Sequence, residues 1–141
     1  MLNKFPGAHA RQIQHYSKWT IENDKPESVV IVAGANDLNY DKNPSVEQIS
    51  KRVLDIARQA RQMRVRNVYI CGITCRRNKS FDNITKEINL ALRLVSTDEG
   101  FIFISNDNIF KSDLNDDGLH LNPGGTKKLM ENILHHTGTT Y

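Results

Sequence analysis

Three short runs of apolar, mostly β-branched residues constrain this chain more than any other feature. They are Val29-Val30-Ile31-Val32-Ala33, Asn67-Val68-Tyr69-Ile70-Cys71-Gly72-Ile73, and Phe101-Ile102-Phe103-Ile104 behind Gly100. Each has the length of a strand, and each is apolar at successive rather than alternate positions. A strand that is apolar on both faces needs cover on both sides. That is the habit of a parallel sheet held between layers of helices.

The segments between the runs have helical spacing. Pro44 to Met63 places Val46, Ile49, Val53, Ile56, Ala57 and Ala60 on one side, and Pro44 suits a first turn. Asn83 to Thr97 carries a stripe of Ile84, Ile88, Leu92 and Val95, widened by Leu90, Ala91 and Leu94. A last helix is expected from the capping pair Asn122-Pro123 through Leu129, Met130 and Ile133 to about His136, with Gly138 ending it. A first helix is expected from Ala8 to about Glu22, packing through Ile13, Tyr16 and Trp19. The order helix, strand, helix, strand, helix, strand, loop, helix predicts a three-layer α/β fold with right-handed crossovers. At 141 residues the chain is expected to be one domain, 1–141.

Other features narrow the function. The longest apolar run, Val29 to Ala35, cannot span a bilayer, and no apolar signal region stands behind Lys4, so no membrane contact and a cytoplasmic location are expected. Cys71 and Cys75 are spaced for a small disulfide loop, but a reduced pair is expected without a signal peptide. They read as core and turn residues. His120, His135 and His136 lack a metal-ligand spacing, and there is no cofactor motif, so neither a metal nor a cofactor is expected. The net charge is +3, but Arg58, Arg61, Arg64 and Arg66 cluster near one helix end, and Arg76, Arg77 and Lys79 lie just after the second strand. Such a cluster reads as a solvated surface; nucleic-acid contact is the other reading it allows.

Two motifs carry the chemistry. Gly34-Ala35-Asn36-Asp37 closes the first run, and Asp117-Gly118-Leu119-His120 precedes the last helix. Ligands of an open parallel sheet bind beyond the carboxyl ends of its strands, where both motifs are expected. A histidine there can take a proton from a nucleophile while a carboxylate fixes its tautomer, and an asparagine amide can face a developing oxyanion. The bland alternative is an Asx turn at Asn36-Asp37 and a tight turn at Asp117-Gly118.

In this order, the motifs resemble those of the SGNH/GDSL hydrolase superfamily, serine esterases and lipases on a flavodoxin-like α/β fold. The resemblance covers nearly the whole chain. Phe5-Pro6-Gly7-Ala8 is similar to the block whose glycine gives a backbone N–H to the oxyanion hole, which assigns that role to Gly7. Gly34-Ala35-Asn36-Asp37 matches G-x-N-D, giving Asn36 the second oxyanion contact with Gly34 and Asp37 in support. Asp117-Gly118-Leu119-His120 matches D-x-x-H, making His120 the general base and Asp117 its orienting acid. Leu121-Asn122-Pro123-Gly124-Gly125 is also similar to the stretch the family carries after that histidine.

The departure is at the front. The family's first strand ends in Gly-Asp-Ser and carries the nucleophile, and the chain from Met1 to Gly7 has no room for it. The resemblance therefore implies an N-terminally truncated or divergent member with the first strand missing, or a fragment of a longer protein. Met1 to Phe5, or a second copy associating through the gap, could supply a replacement strand. Among the other serines, Ser105 is the best-placed stand-in, since it ends the third strand. Three functions stay open: hydrolysis of a small ester, a catalytically inactive crevice that binds a ligand, and a mobile-element-derived domain with nucleic-acid contact.

Overall fold

The structure, a computed structural model, describes residues 20–40 and 43–138. Phe5 to Ala8, Ser17 and most of the expected first helix lie outside them; residues 20–24, its expected end, are helical. Three strands, β1 (Ser28–Ile31), β2 (Asn67–Cys71) and β3 (Ile102–Ile104), form one parallel sheet in the order β1-β2-β3. Val29 stands beside Val68 and Ile31 beside Ile70, and Ile70 in turn stands beside Phe103.

The strands alternate with helices α1 (Ala35–Tyr40), α2 (Val46–Gln62), α3 (Lys79–Glu99) and α4 (Pro123–Thr137). The central strand shows why the runs are apolar at every position. Val68 and Ile70 pack with Ile49, Val53, Ile88 and Leu92 of α2 and α3. Tyr69 and Cys71 point the other way, into a cluster with Ile104 and with Leu129 and Ile133 of α4. These are the three layers that the sequence predicts.

Local chemistry sets the helix ends. Ser45 caps α2 by accepting from the Gln48 N–H at 3.2 Å, and Asn122 caps α4 by accepting from the Gly125 N–H at 2.9 Å, with Pro123 in the first turn. Gly100 and Gly138 close α3 and α4 in the left-handed conformation, at φ +78° and +66°.

Three expectations change. Pro44 does not sit in a first turn; it precedes α2, which starts at Val46 behind the Ser45 cap. Leu90 and Leu94 do not widen the inner stripe of α3; they are 58% and 59% exposed. The buried line runs Asp82, Thr85, Ile88, Leu92 and Ser96, and a position two residues from it is turned by about 200° to the far side. Asn36 and Asp37 lie inside α1 rather than in an Asx turn. Gly34, at φ +100°, reverses the chain so sharply that the helix starts at the next residue.

The arginine cluster is mostly engaged within the molecule. Arg58 makes a two-pronged bond to Glu99 at 2.9 and 2.7 Å, which lowers the pKa of the Glu99 carboxyl. Arg61 donates to the carbonyls of Glu99 and Gly100 and lies over the Phe101 ring, and Arg66 pairs with Glu27. The bonds of Arg58 and Arg61 fasten α2 to the end of α3, and that of Arg66 ties together the segments that lead into β2 and β1. Among the described residues no helix is long and apolar enough to cross a membrane.

Candidate active site

The loops leaving the carboxyl ends of the strands carry the chemistry-bearing residues. After β1, Gly34 is enclosed so tightly that a Cβ would come within 3.0 Å of Ile73 and 3.2 Å of Val53. A side chain there would need both the left-handed backbone and a shift in the core. Asn36 is the second residue of α1, half-buried. Asp37 is 1% exposed and accepts from Arg52 of α2 at 3.0 Å. Its carboxylate serves an ion pair that fastens α1 to α2. Gly7 lies outside the described residues.

After β2, the chain is held as though one more strand lay beside it. The Asn89 side chain on α3 accepts from the Ile73 N–H and donates to the Ile73 carbonyl, both at 2.8 Å. After β3, Asn106 donates to the Gly72 carbonyl at 2.6 Å and accepts from Asn132 of α4 at 2.9 Å. Ser105 accepts from the Asp107 N–H at 3.2 Å, so its hydroxyl belongs to a local turn. Burial pushes the Cys71 thiol up to about 11, out of the range of a ready nucleophile, and burial also raises Cys75.

The Asp117-His120 segment is the tip of a narrow loop before α4. Asn122 donates to the Asp113 carbonyl at 2.8 Å, Leu121 bridges Leu114, and Asn115 donates to the His120 carbonyl at 2.7 Å. Asp113 anchors the base by accepting from Lys128 at 2.7 Å and from the Phe110 N–H at 2.9 Å. At the tip, Asp117 divides its two oxygens. Oδ1 accepts from the N–H groups of Leu119 and His120, each at 2.9 Å, and Oδ2 meets His120 Nδ1 at 2.6 Å. The bond from His120, and then the two backbone bonds, bring the Asp117 carboxyl down to about 2.

An ionised Asp117 has only acceptors, so His120 Nδ1 carries the proton and Nε2 is left to exchange one. Oδ1 therefore holds the tight turn and Oδ2 holds the imidazole, one oxygen for each task.

Sequence reasoning missed Arg76. It is only 4% exposed and donates to the Asn39 side chain at 2.7 Å and to the Ala35 carbonyl at 2.8 Å. Arg77 donates from its backbone to the Gly118 carbonyl at 3.0 Å. Nothing in the local sequence marks Arg76 as buried, because an arginine beside another arginine reads as surface.

The GDSL-like Lipase/Acylhydrolase family profile matches residues 5–133. No curated protein matches at the level of sequence. Among solved structures, an acetylxylan esterase from Geobacillus stearothermophilus superposes with a TM-score of 0.79 at 14% identity, over 95% of this chain and 69% of that one. A GDSL-like lipase from Bacteroides thetaiotaomicron gives 0.82 at 15% identity, over 94% and 72%. An α/β hydrolase from the metagenome of Lake Arreo, Spain, gives 0.75 at 16% identity, over 94% and 69%. At such identities the likeness is one of fold.

Proposed function

The chain belongs to the GDSL-like lipase/acylhydrolase family, and from that premise we propose that its crevice keeps the acid-base half of an ester-hydrolysing site without the family's serine. His120 is the general base, Asp117 its orienting acid, and Asn36 with the Gly7 N–H the oxyanion donors. The observation that carries this reading is the divided carboxylate of Asp117, which holds both the turn and the imidazole and leaves Nε2 available.

The sequence contains no Gly-Asp-Ser. In this reading the nucleophile is water: His120 Nε2 takes its proton as the oxygen attacks the ester carbonyl, and the proton then passes to the leaving alkoxide. Serine triads that have lost one member keep roughly a thousandfold advantage over water, which sets the scale of rate to expect. The substrate is a small carboxylic ester. One of the similar structures is an acetylxylan esterase, so an acetyl ester is the probe of choice.

The test is hydrolysis of p-nitrophenyl acetate by the purified chain beside His120→Ala and Ser105→Ala. We expect slow turnover that His120→Ala abolishes and Ser105→Ala leaves intact. Loss in both variants would make Ser105 the nucleophile, and no turnover above background in the parent chain would defeat the reading.

A further inference from the structure

The loop between β2 and α3 contains two consecutive arginines whose bonds run to different motifs. Arg76 Nη1 and Nη2 bond Asn39 and the Ala35 carbonyl, both in α1, and Ala35 directly precedes Asn36. Its own N–H is fixed at 3.0 Å by Asp82, at the start of α3. Arg77 goes the other way. Its N–H donates to the Gly118 carbonyl at 3.0 Å and its Nη1 to the Asp116 carbonyl at 3.1 Å, so the residues on both sides of Asp117 are held. Contact is close as well: a Cβ on Gly118, where φ is +69°, would lie 2.8 Å from Arg77 Cβ.

Stability alone does not account for Arg76. Buried cations are ordinarily matched by carboxylates. The acceptors of this guanidinium are neutral oxygens, and burial lowers its pKa. A desolvated charge used in this way is costly for the two bonds it makes. What it uniquely supplies is a rigid fork that spans two acceptors at a set angle.

We propose that Arg76 and Arg77 are positioning residues, a two-residue clamp that holds Asn36 and the Asp117-His120 pair in one frame. The clamp rests on the roles assigned to those three residues under the proposed function. Neither arginine touches the reacting atoms in this scheme. Each acts through backbone that carries a residue of the site, and because the two are adjacent in the chain, the spacing between the motifs is tied to a single peptide link.

The experiment compares the parent chain with Arg77→Ala, Arg77→Lys and Asn39→Ala. Arg77 and Asn39 are themselves exposed, so these changes open no cavity in the apolar core, and Asn39→Ala removes one acceptor of Arg76, whereas Arg76→Met risks the fold. One readout is the NMR titration of the Asp117 carboxyl together with the Asn36 side-chain amide signals. The other is kcat and KM on p-nitrophenyl acetate. In Arg77→Ala we expect the Asp117 midpoint to rise from about 2 toward the ordinary carboxylate value of roughly 3.9. We expect kcat to fall about tenfold with little change in KM, and Arg77→Lys to recover part of both. Asn39→Ala should move the Asn36 amide signals. An Asp117 titration unchanged in Arg77→Ala, or Asn36 signals unchanged in Asn39→Ala, would overturn the clamp. If the parent chain has no turnover, the proposed function fails while the NMR readouts still decide the clamp.

Discussion

Asp117 shows how much one side chain can settle. Its carboxylate is both the cap of a tight turn and the partner of His120, and those bonds bring its pKa to about 2. A carboxyl depressed on folding stabilises the native loop above its unfolded pKa of roughly 3.9, and that contribution is lost as pH falls through the folded value. The Leu119 and His120 amide resonances should therefore shift in one step with a midpoint near 2, and the step should be missing in Asp117→Asn. A step at an ordinary carboxylate pKa would mean that the bonds seen here do not persist in solution. The Asp-Gly-Leu-His motif was legible because turn-forming residues and a bonded aspartate-histidine pair share four positions. Gly34 was legible as the end of a strand, but its other role was not: the lack of a Cβ there leaves room for Ile73 and Val53, which are distant in the chain.

Among the elements, α4 matches its sequence signals closely, since capping and apolar spacing agree at Asn122 and Pro123, whereas α2 keeps its expected apolar spacing but starts at Val46 behind a Ser45 cap, with Pro44 outside the helix. The longer α3 obeys a different balance. Thr85 and Ser96 take buried places on its inner line, while Leu90 and Leu94 face solvent. The half-buried Asn89, on the same helix, stands in for a strand neighbour by bonding both backbone groups of Ile73. Asn89→Ala would leave those groups unpaired. We expect a loss of about 1–3 kcal/mol, read as a lower urea midpoint with an unchanged slope. A midpoint equal to that of the parent chain would show that water replaces the amide at no cost. No sequence signal marks Asn89, because its partner is backbone and backbone bonding leaves no trace in residue type.

At the scale of the molecule, the central strand β2 is buried from both sides, and the Cys71 side chain at its end packs toward α4. Burial raises its thiol from an ordinary 9.0 to about 11. A group that holds its proton more tightly when folded contributes stability below its unfolded pKa and loses that contribution as pH rises through the folded value. Urea unfolding should show stability falling between pH 9.0 and about 11. The share due to this thiol is at most about 3 kcal/mol, and the decline should be shallower in Cys71→Ala. Equal slopes for the two proteins would exclude the thiol as the cause. The basic cluster also has to be judged at this scale. Arg58 and Arg61 close the end of α3, and Arg76 reaches into the loops above the sheet, so residues that read as a charged surface serve as internal ties.

The sequence alone determined the parallel three-layer architecture, because strands apolar at every position separated by amphipathic helices have few other ways to bury both faces. It also determined the identity of the Asp117-His120 pair, since the bonds that make it join residues three apart and need no tertiary partner. Only the tertiary structure decided that α1 begins directly after Gly34, that Arg76 is buried, and that consecutive arginines reach the two motifs. Those outcomes depend on atoms brought together from about forty positions apart in the chain, as Arg76 meets Ala35 and Arg77 meets Asp116. Local propensity carries no information about which distant carbonyl a long side chain will find.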